Sequence, residues 1–415
     1  MTQLRPQATQ DETSAQSRPP TSLLGTAVGH LRTRLRGGEL GAMPVIVGLV
    51  LIAVVFQSLN SNFLTPQNLS NMSVQLVAYG LLSCGVIMVL LIGEIDLSIG
   101  SVSGVAGALL AVLAVNHGLP EIVAIALVVL AGAAIGALHG TIFAKVGVPA
   151  FVVTLAGLLG WKGAHLFVLG DQGTINVPRD GTIAALTKTF FAPWIGWSVA
   201  LAILGIYLVA QMVGARRRAN AGLPTRSTAE VLLRWALLAA PVLGGVAILN
   251  AWSGVPLAFL IFVGFVVAFD LVLRKTRYGR MVFAVGGNAE AARRAGINVD
   301  LVRISVFTLS SMLASIGGIM LVSRADGVSQ ATGGDEVLMF AIAAAVIGGT
   351  SLFGGRGSSY SALLGMLVIQ SITAGLLLLQ MDASVRFMIT AVVLLIAVVL
   401  DAMSRRSQRM HARGG

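Results

Sequence analysis

Cysteine is almost absent. Cys84 is the one cysteine in 415 residues, so no intrachain disulfide can form, and its apolar surroundings suit small-residue packing. Charge is scarce as well. Charged residues make up 11% of the chain, where soluble domains carry about a quarter, which excludes an ordinary soluble globular protein. No GxxxxGK[ST] phosphate loop, no HExxH and no Cys/His ligand spacing occurs, so the chain carries no recognisable ATP or metal site of its own. Work driven by ATP would need a site on another subunit. Residues 1–40 lack an apolar core with a small-residue cleavage site, so they are not a signal peptide.

What is abundant is apolar sequence. Hydrophobic residues reach 56% and mean hydropathy is +0.88. The lipid bilayer is therefore the main solvent, and the expected class is an all-α, polytopic helical membrane protein. The 49 glycines suit close helix packing where no hydrophobic force drives helices together. About twelve transmembrane helices are expected, at 43–60, 73–92, 98–116, 121–144, 147–170, 193–213, 231–250, 256–273, 303–323, 337–350, 358–380 and 386–402. The tenth is short enough to re-enter rather than span. The expected organisation is a disordered cytosolic tail over 1–40, a transmembrane domain over 41–403 and a cytosolic tail over 404–415. A weak internal echo relates 91–110 to 346–365, as internal repeats in transporters do.

Lys and Arg alternate between loops. One set of loops carries Arg32, Arg34 and Arg36, Lys145, Arg216 to Arg218, the cluster from Arg274 to Arg303, Arg356, and Arg405 to Arg413. The opposite set holds only Arg179, Lys188, Arg324 and Arg386. The bias places both termini and the 274–302 loop in the cytoplasm. The net charge of +11 thus follows from topology and calls for no nucleic acid.

Within that loop, Asn288 suits a helix start, Ala289 to Ala295 are strong helix formers and Gly296 fits the stop. Two readings stand side by side: a helix held outside the membrane for a soluble partner to push on, or a basic loop that only sets topology. The outer loop at 171–192 fits either a docking rim or a passive connector.

Ionisable groups inside spans are the other candidates. Glu94 and Asp96 sit where the second span ends and the third begins. Asp96 or Ser98 suits a cap for the third span, and the same residues suit a broken helix beside a water-filled path. Lys162 and His165 lie one helical turn apart in the fifth span, where Lys162 fits either snorkelling or a path lining. Asp270 with Arg274, and Glu230 with Arg234, read as interfacial ion pairs. The ladder Gly132, Gly136, Gly140 reads as a helix-contact face, with His139 packed or hydrogen-bonded beside it.

Four stretches in order carry a resemblance: GEIDLSIGS (93–101), VPAFVVTLAGLLGWKG (148–163), TRYGRMVFAVGGNAEAARRAGI (276–297) and AIAAAVIGGTSLFGGRGS (341–358). The chain resembles the permease subunit of a sugar ABC importer of the ribose/xylose type. An extra pair of spans around GARRRANAGLPTRS (214–227) is similar to the xylose-type permeases in particular. The resemblance implies two permease copies paired in the membrane lipid of a bacterial cytoplasmic (inner) membrane. It also implies a cytosolic ATP-binding subunit that holds ATP and Mg, a periplasmic sugar-binding protein, and no cofactor on this chain. By the same resemblance Gly287, Asn288, Ala289, Glu290, Ala291, Ala292, Arg293, Arg294, Ala295 and Gly296 form the helix that receives the ATPase stroke. Glu94, Asp96, Ser98 and Lys162 fall along the translocation path, and the expected cargo is a monosaccharide such as xylose or another pentose. Two other readings remain: an ion-coupled secondary transporter, with Glu94 and Asp96 as its acid groups, and an ABC permease for another small polar solute such as branched-chain amino acids. A membrane enzyme lacks any nucleophile–base set.

Overall fold

The computed structural model describes residues 43–223, 227–396 and 399. Both expected tails, 1–40 and 404–415, lie outside the described residues. All twelve expected segments appear as helices, the last of them as far as Ile396, with most of its remainder outside the described residues. They are α1 (Met43–Leu59), α2 (Pro66–Leu91), α3 (Ile99–Ala111, continuing in a π turn to Asn116), α4 (Glu121–Thr141, with a π turn to Val146) and α5 (Ala150–Leu169). After a short α6 (Thr182–Lys188) come α7 (Pro193–Asn220), α8 (Thr228–Asn250) and α9 (Leu257–Lys275). Two short helices, α10 (Arg277–Gly287) and α11 (Ala289–Arg294), lead to α12 (Val299–Ala325), α13 (Asp335–Ile347), α14 (Tyr360–Leu378) and α15 (Ala383–Ile396). Among the described residues nine helices are long and apolar enough to cross a membrane.

Burial sorts these helices. The most apolar window of α2 is 83% buried, and those of α3 and α14 are 67% buried. In α7 and α8 the figure is 11%, so this pair lines the outside, held mainly by Gly196, Ala200 and Leu204 on one helix and Val231, Ala239 and Leu249 on the other. α4 packs on α12 through the glycine ladder. A Cβ at Gly136 would strike the Phe307 carbonyl, and one at Gly140 would strike the Ile304 backbone. Backbone contact this close is open only to glycine, and it is how helices associate where lipid removes the hydrophobic drive.

The tenth segment is a broken span. Its helix, α13, has only 13 residues. Before it the chain is extended: Gly327–Ser329 (β4) pairs antiparallel with Thr174–Asn176 (β1). A turn then follows, with the Thr332 amide donating to the Ser329 carbonyl at 2.9 Å. Gly333 has φ +71°, and a Cβ there would meet the Gly104 amide and the Gly100 carbonyl. The non-helical backbone is thus pressed on α3 rather than exposed to lipid, the condition for irregular chain at that depth. A second small sheet joins Phe190–Phe191 (β2) to Val255–Pro256 (β3).

The 171–192 loop is a packed cap, not a loose connector. Ile183 and Ala184 of α6 are fully buried. The Ile183 amide donates to Glu121 at 2.6 Å, and Asp326 takes ion pairs from Arg179 (3.4 Å) and Lys188.

Candidate functional site: a glycine junction and a buried polar chain

At the end of the bundle carrying α10 and α11, three backbone segments meet. Gly93 turns the chain out of α2 with φ +82°, and Gly354 and Gly355 turn it between α13 and α14 with φ +81° and +72°. The Gly355 amide donates to the Leu91 carbonyl at 2.9 Å. A Cβ on Gly93 would touch the Phe353 carbonyl at 3.6 Å. Gly286, near the end of α10, lies on both turns: a Cβ there would collide with the Leu91 carbonyl and come within 2.9 Å of the Gly355 amide. The two echoing stretches of sequence are therefore in contact, with α10 wedged against them.

Directly beyond the wedge lies α11. The Asn288 side chain caps it, accepting from the Ala291 amide at 2.9 Å. Gly296, with φ +83°, closes it as the Ile297 amide donates back to the Ala292 carbonyl at 3.1 Å. Both ends match the sequence expectation, and Ala295 is the C-cap rather than the last helical residue. Glu290 pairs with Arg294 at 3.2 Å and Arg293 with Asp300 at 3.4 Å. Glu290, Ala291, Arg293, Arg294 and Ala295 are exposed. Ala292 is not: it is 4% exposed and packs into the core. A six-residue helix lying on the bundle turns a residue inward, and here that residue is Ala292.

In the turn between α2 and α3, Asp96 is 3% exposed. Its Oδ1 accepts from the Ser98 amide at 2.9 Å and the Ser98 hydroxyl at 2.6 Å, and its Oδ2 accepts from Ser310 of α12 at 3.4 Å. Ser98 is the N-cap of α3 by position, yet its side chain makes no capping bond. The capping expectation is thus corrected for Ser98: its hydroxyl is committed to Asp96, which holds the turn one step earlier. Ser98 Oγ also lies 3.3 Å from His139 Nδ1, and Trp161 Nε1 donates to His139 Nε2 at 3.0 Å. An indole N–H only donates, so Nε2 accepts and Nδ1 carries the ring proton. The donors then run one way: Trp161 to His139, His139 to Ser98, Ser98 to Asp96. Thr154 of α5 adds a bond to the Ile95 carbonyl at 3.3 Å.

Glu94, half-buried in the same turn, belongs to a different environment. Burial pushes its carboxyl above the ordinary range, and the nearby Arg303 charge pulls it part of the way back. Arg303 itself stacks on Phe143, 4.5 Å from the ring centroid.

Lys162 stands apart. It is exposed on α5 and joins no ion pair or hydrogen bond among the described residues, whereas His165 is buried. Three residues leave the two about 60° apart on the helix, and the edge of the buried face falls between them. Sequence reasoning missed Trp161 and Ser310; it read Gly286 as a place of tight approach or turn and His139 as packed or hydrogen-bonded, without naming the partner of either. One signal was present: Gly157 and Trp161 are four residues apart on α5, and a Cβ at Gly157 would enter the His139 ring.

A multi-helix bundle with a broken span, irregular backbone sealed against glycine and a polar helix outside the apolar spans defines a membrane permease. A family model described as "Branched-chain amino acid transport system / permease component" matches residues 68–398, and this chain belongs to that family, among the ABC importer permeases of the ribose/xylose type. The xylose transport system permease protein XylH of Escherichia coli K12 is 31% identical over 373 residues, covering 90% of this chain and 94% of that one. Its counterpart in Haemophilus influenzae is 31% identical over 369 residues, covering 88% and 97%. The ribose import permease protein RbsC of Escherichia coli K12 is 33% identical over 357 residues, covering 86% and 92%. No solved structure matches. A permease of this class binds no cofactor and is not itself the enzyme. The ATPase is a separate subunit, and a binding protein is the other partner the class implies.

Proposed function

We propose that this chain carries xylose or a similar pentose across the bacterial cytoplasmic membrane, as one of two copies, with both termini in the cytoplasm. The XylH likeness over 90% of the chain supports the cargo, and the Lys/Arg bias supports the orientation. One observation carries the mechanism: Gly286 lies with its backbone on the turns at Leu91–Gly93 and Gly354–Gly355, and α11 begins three residues further on. Closure of the ATPase pair pushes the exposed face of α11. The rigid α10 passes that displacement to both turns at once. These turns sit at the foot of α3 and α14, so the bundle changes between two packings, as alternating access requires. Asp96 and Ser98 hold the α3 foot, with Glu94 beside it. Lys162, twelve residues or about 18 Å into α5, is too deep to face lipid cheaply and is assigned to the aqueous path.

The test is reconstitution with the ATPase and the binding protein in liposomes. Xylose uptake should follow ATP and ignore a collapsed ion gradient. Uptake that follows the gradient without ATP would make the chain a secondary transporter, and uptake of branched-chain amino acids in place of pentose would overturn the cargo.

A further inference from the structure

Midway through the bundle, a patch of polar side chains takes no part in the junction or in the Asp96 chain. On α2, Asn71, Gln75 and Tyr79 recur at four-residue steps and so share one stripe. Asn71 is exposed, and Gln75 and Tyr79 are half-buried. Opposite them, Gln370 of α14 donates from Nε2 to Gln75 Oε1 at 2.6 Å. Phe340 of α13 meets the Tyr79 ring edge-on, with centroids 5.7 Å apart. Glu336, exposed in the first turn of α13, and Arg324 of α12 both act electrostatically on the Tyr79 hydroxyl. That hydroxyl has no hydrogen-bond partner and Glu336 no ion pair among the described residues.

Depth makes this arrangement informative. α2 and α13 end together at the Gly93–Phe353 contact. Tyr79 lies twelve residues before Leu91 and Glu336 eleven before Ile347, about 18 and 16 Å up the helices at 1.5 Å per residue. The apolar core of a bilayer is about 30 Å thick, so both stand near its midplane. A free carboxylate and a phenol hydroxyl there are costly against lipid, and a buried, unpaired polar group is costly against protein. Water and a polar solute are the neighbours that satisfy both.

We propose that Gln75, Tyr79, Glu336 and Gln370, with Phe340, form the sugar-contacting stretch of the translocation path, and that its ligand is an uncharged polyol. Amides and a phenol supply donors and acceptors, the carboxylate accepts from two hydroxyls, and the aromatic edges meet a ring's C–H face. Arg324 of α12 acts on the same Tyr79 hydroxyl with the opposite sign, so one charge of each sign borders the stretch, and uptake of an amino acid in place of sugar would overturn this choice of ligand. This inference rests on the sugar-import reading.

The experiment uses the assembled transporter in liposomes. Wild-type ATP-dependent pentose uptake must be seen first, and its absence would sink the import reading itself. Given that uptake, Gln75→Cys and Glu336→Cys should react with a charged, lipid-insoluble thiol reagent in at least one nucleotide state. Ile206→Cys on α7, where Ile206 is 70% exposed, should not react, and the buried Cys84 of the wild type should stay silent. In Tyr79→Phe, Gln75→Ala and Glu336→Gln, KM for sugar should rise about fivefold, the effect of one lost hydrogen bond, and the ratio of pentose to hexose uptake should change. Wild-type uptake with positions 75 and 336 unreactive in every nucleotide state overturns the proposal. So does an unchanged KM and pentose-to-hexose ratio in all three variants.

Discussion

Two helix pairs in this molecule are about equally apolar and differ in what they touch. The α7–α8 pair has mean hydropathies of 2.0 and 2.0 in its spanning windows, and α2 and α14 have 2.2 and 1.9. Hydropathy does not separate them; glycine surroundings do. Gly205 on α7 and Gly244 and Gly245 on α8 have open space where a side chain would sit. Gly286 against α2 and Gly365 on α14 have a carbonyl there. In lipid, glycine is structural where another backbone occupies the place of its missing side chain, so the close-packed parts of this permease are marked by collisions rather than by apolarity.

The largest effect should come from Gly286→Val. The valine would have to displace the Leu91 carbonyl and the Gly355 amide together, a cost of several kcal/mol of the overpacking kind. Gly244→Val should cost under about 0.5 kcal/mol. Thermal unfolding in detergent, compared between the two variants, reads this directly. Equal stability would mean that the junction is loose and cannot transmit a push.

Second in size is Asp96. Asp96→Ala strands the Ser98 amide and hydroxyl and the Ser310 hydroxyl in a buried site, for about 2–4 kcal/mol. Asp96→Asn keeps one acceptor for Ser98 and should cost about 1 kcal/mol. Folded yield ranks the two. If Asn is as damaging as Ala, the negative charge rather than the hydrogen-bond geometry holds the turn.

Much of this was legible in the sequence. The twelve apolar segments, the glycine ladder, the caps at Asn288 and Gly296 and the ion pairs at Glu230–Arg234 and Asp270–Arg274 all follow from periodicity and local chemistry. Partnerships across the chain were not. Nothing local says that Leu91, Gly286 and Gly355 share one contact, since their positions are fixed by how the α2, α10 and α14 segments pack. Glu336 was passed over for a related reason. It reads as the outer edge of a span, and only the extended segment ahead of α13, pulled inward onto Gly100 and Gly104, carries it to mid-depth. The second helix, α10, was hidden because its buried residues Gly279, Val282 and Val285 are interleaved with arginines that signal a loop.

The α11 helix offers a third, smaller contrast. Ala292→Glu would bury an unpaired carboxylate and should lower stability by about 3 kcal/mol, whatever the helix docks against. Ala295→Glu is exposed and should leave stability within about 0.5 kcal/mol of wild type, while weakening ATPase association or sugar-stimulated hydrolysis. Glutamate keeps helix propensity, so neither effect comes from unwinding. Normal coupling in Ala295→Glu would return α11 to a loop that only sets topology.

The smallest expected effect distinguishes the two carboxylates of the α2–α3 turn. Asp96 is held by hydrogen bonds, whereas Glu94 is penalised by burial, with its carboxyl raised above the ordinary value of 4.5. A raised acid binds its proton more tightly in the folded state. Its favourable contribution is therefore present below the ordinary value and is lost as pH rises through the raised one. At neutral pH the ionised Glu94 is a net cost, reduced by Arg303 and by solvent at a half-exposed position to under about 1 kcal/mol. Glu94→Gln should then melt slightly higher than wild type at pH 7, with the difference closing as pH falls toward 4.5. Melting curves from pH 8 to pH 4 measure that gap. A gap that widens toward acid would mean that Arg303, not burial, dominates at Glu94, and that this carboxylate is held in its charged form after all.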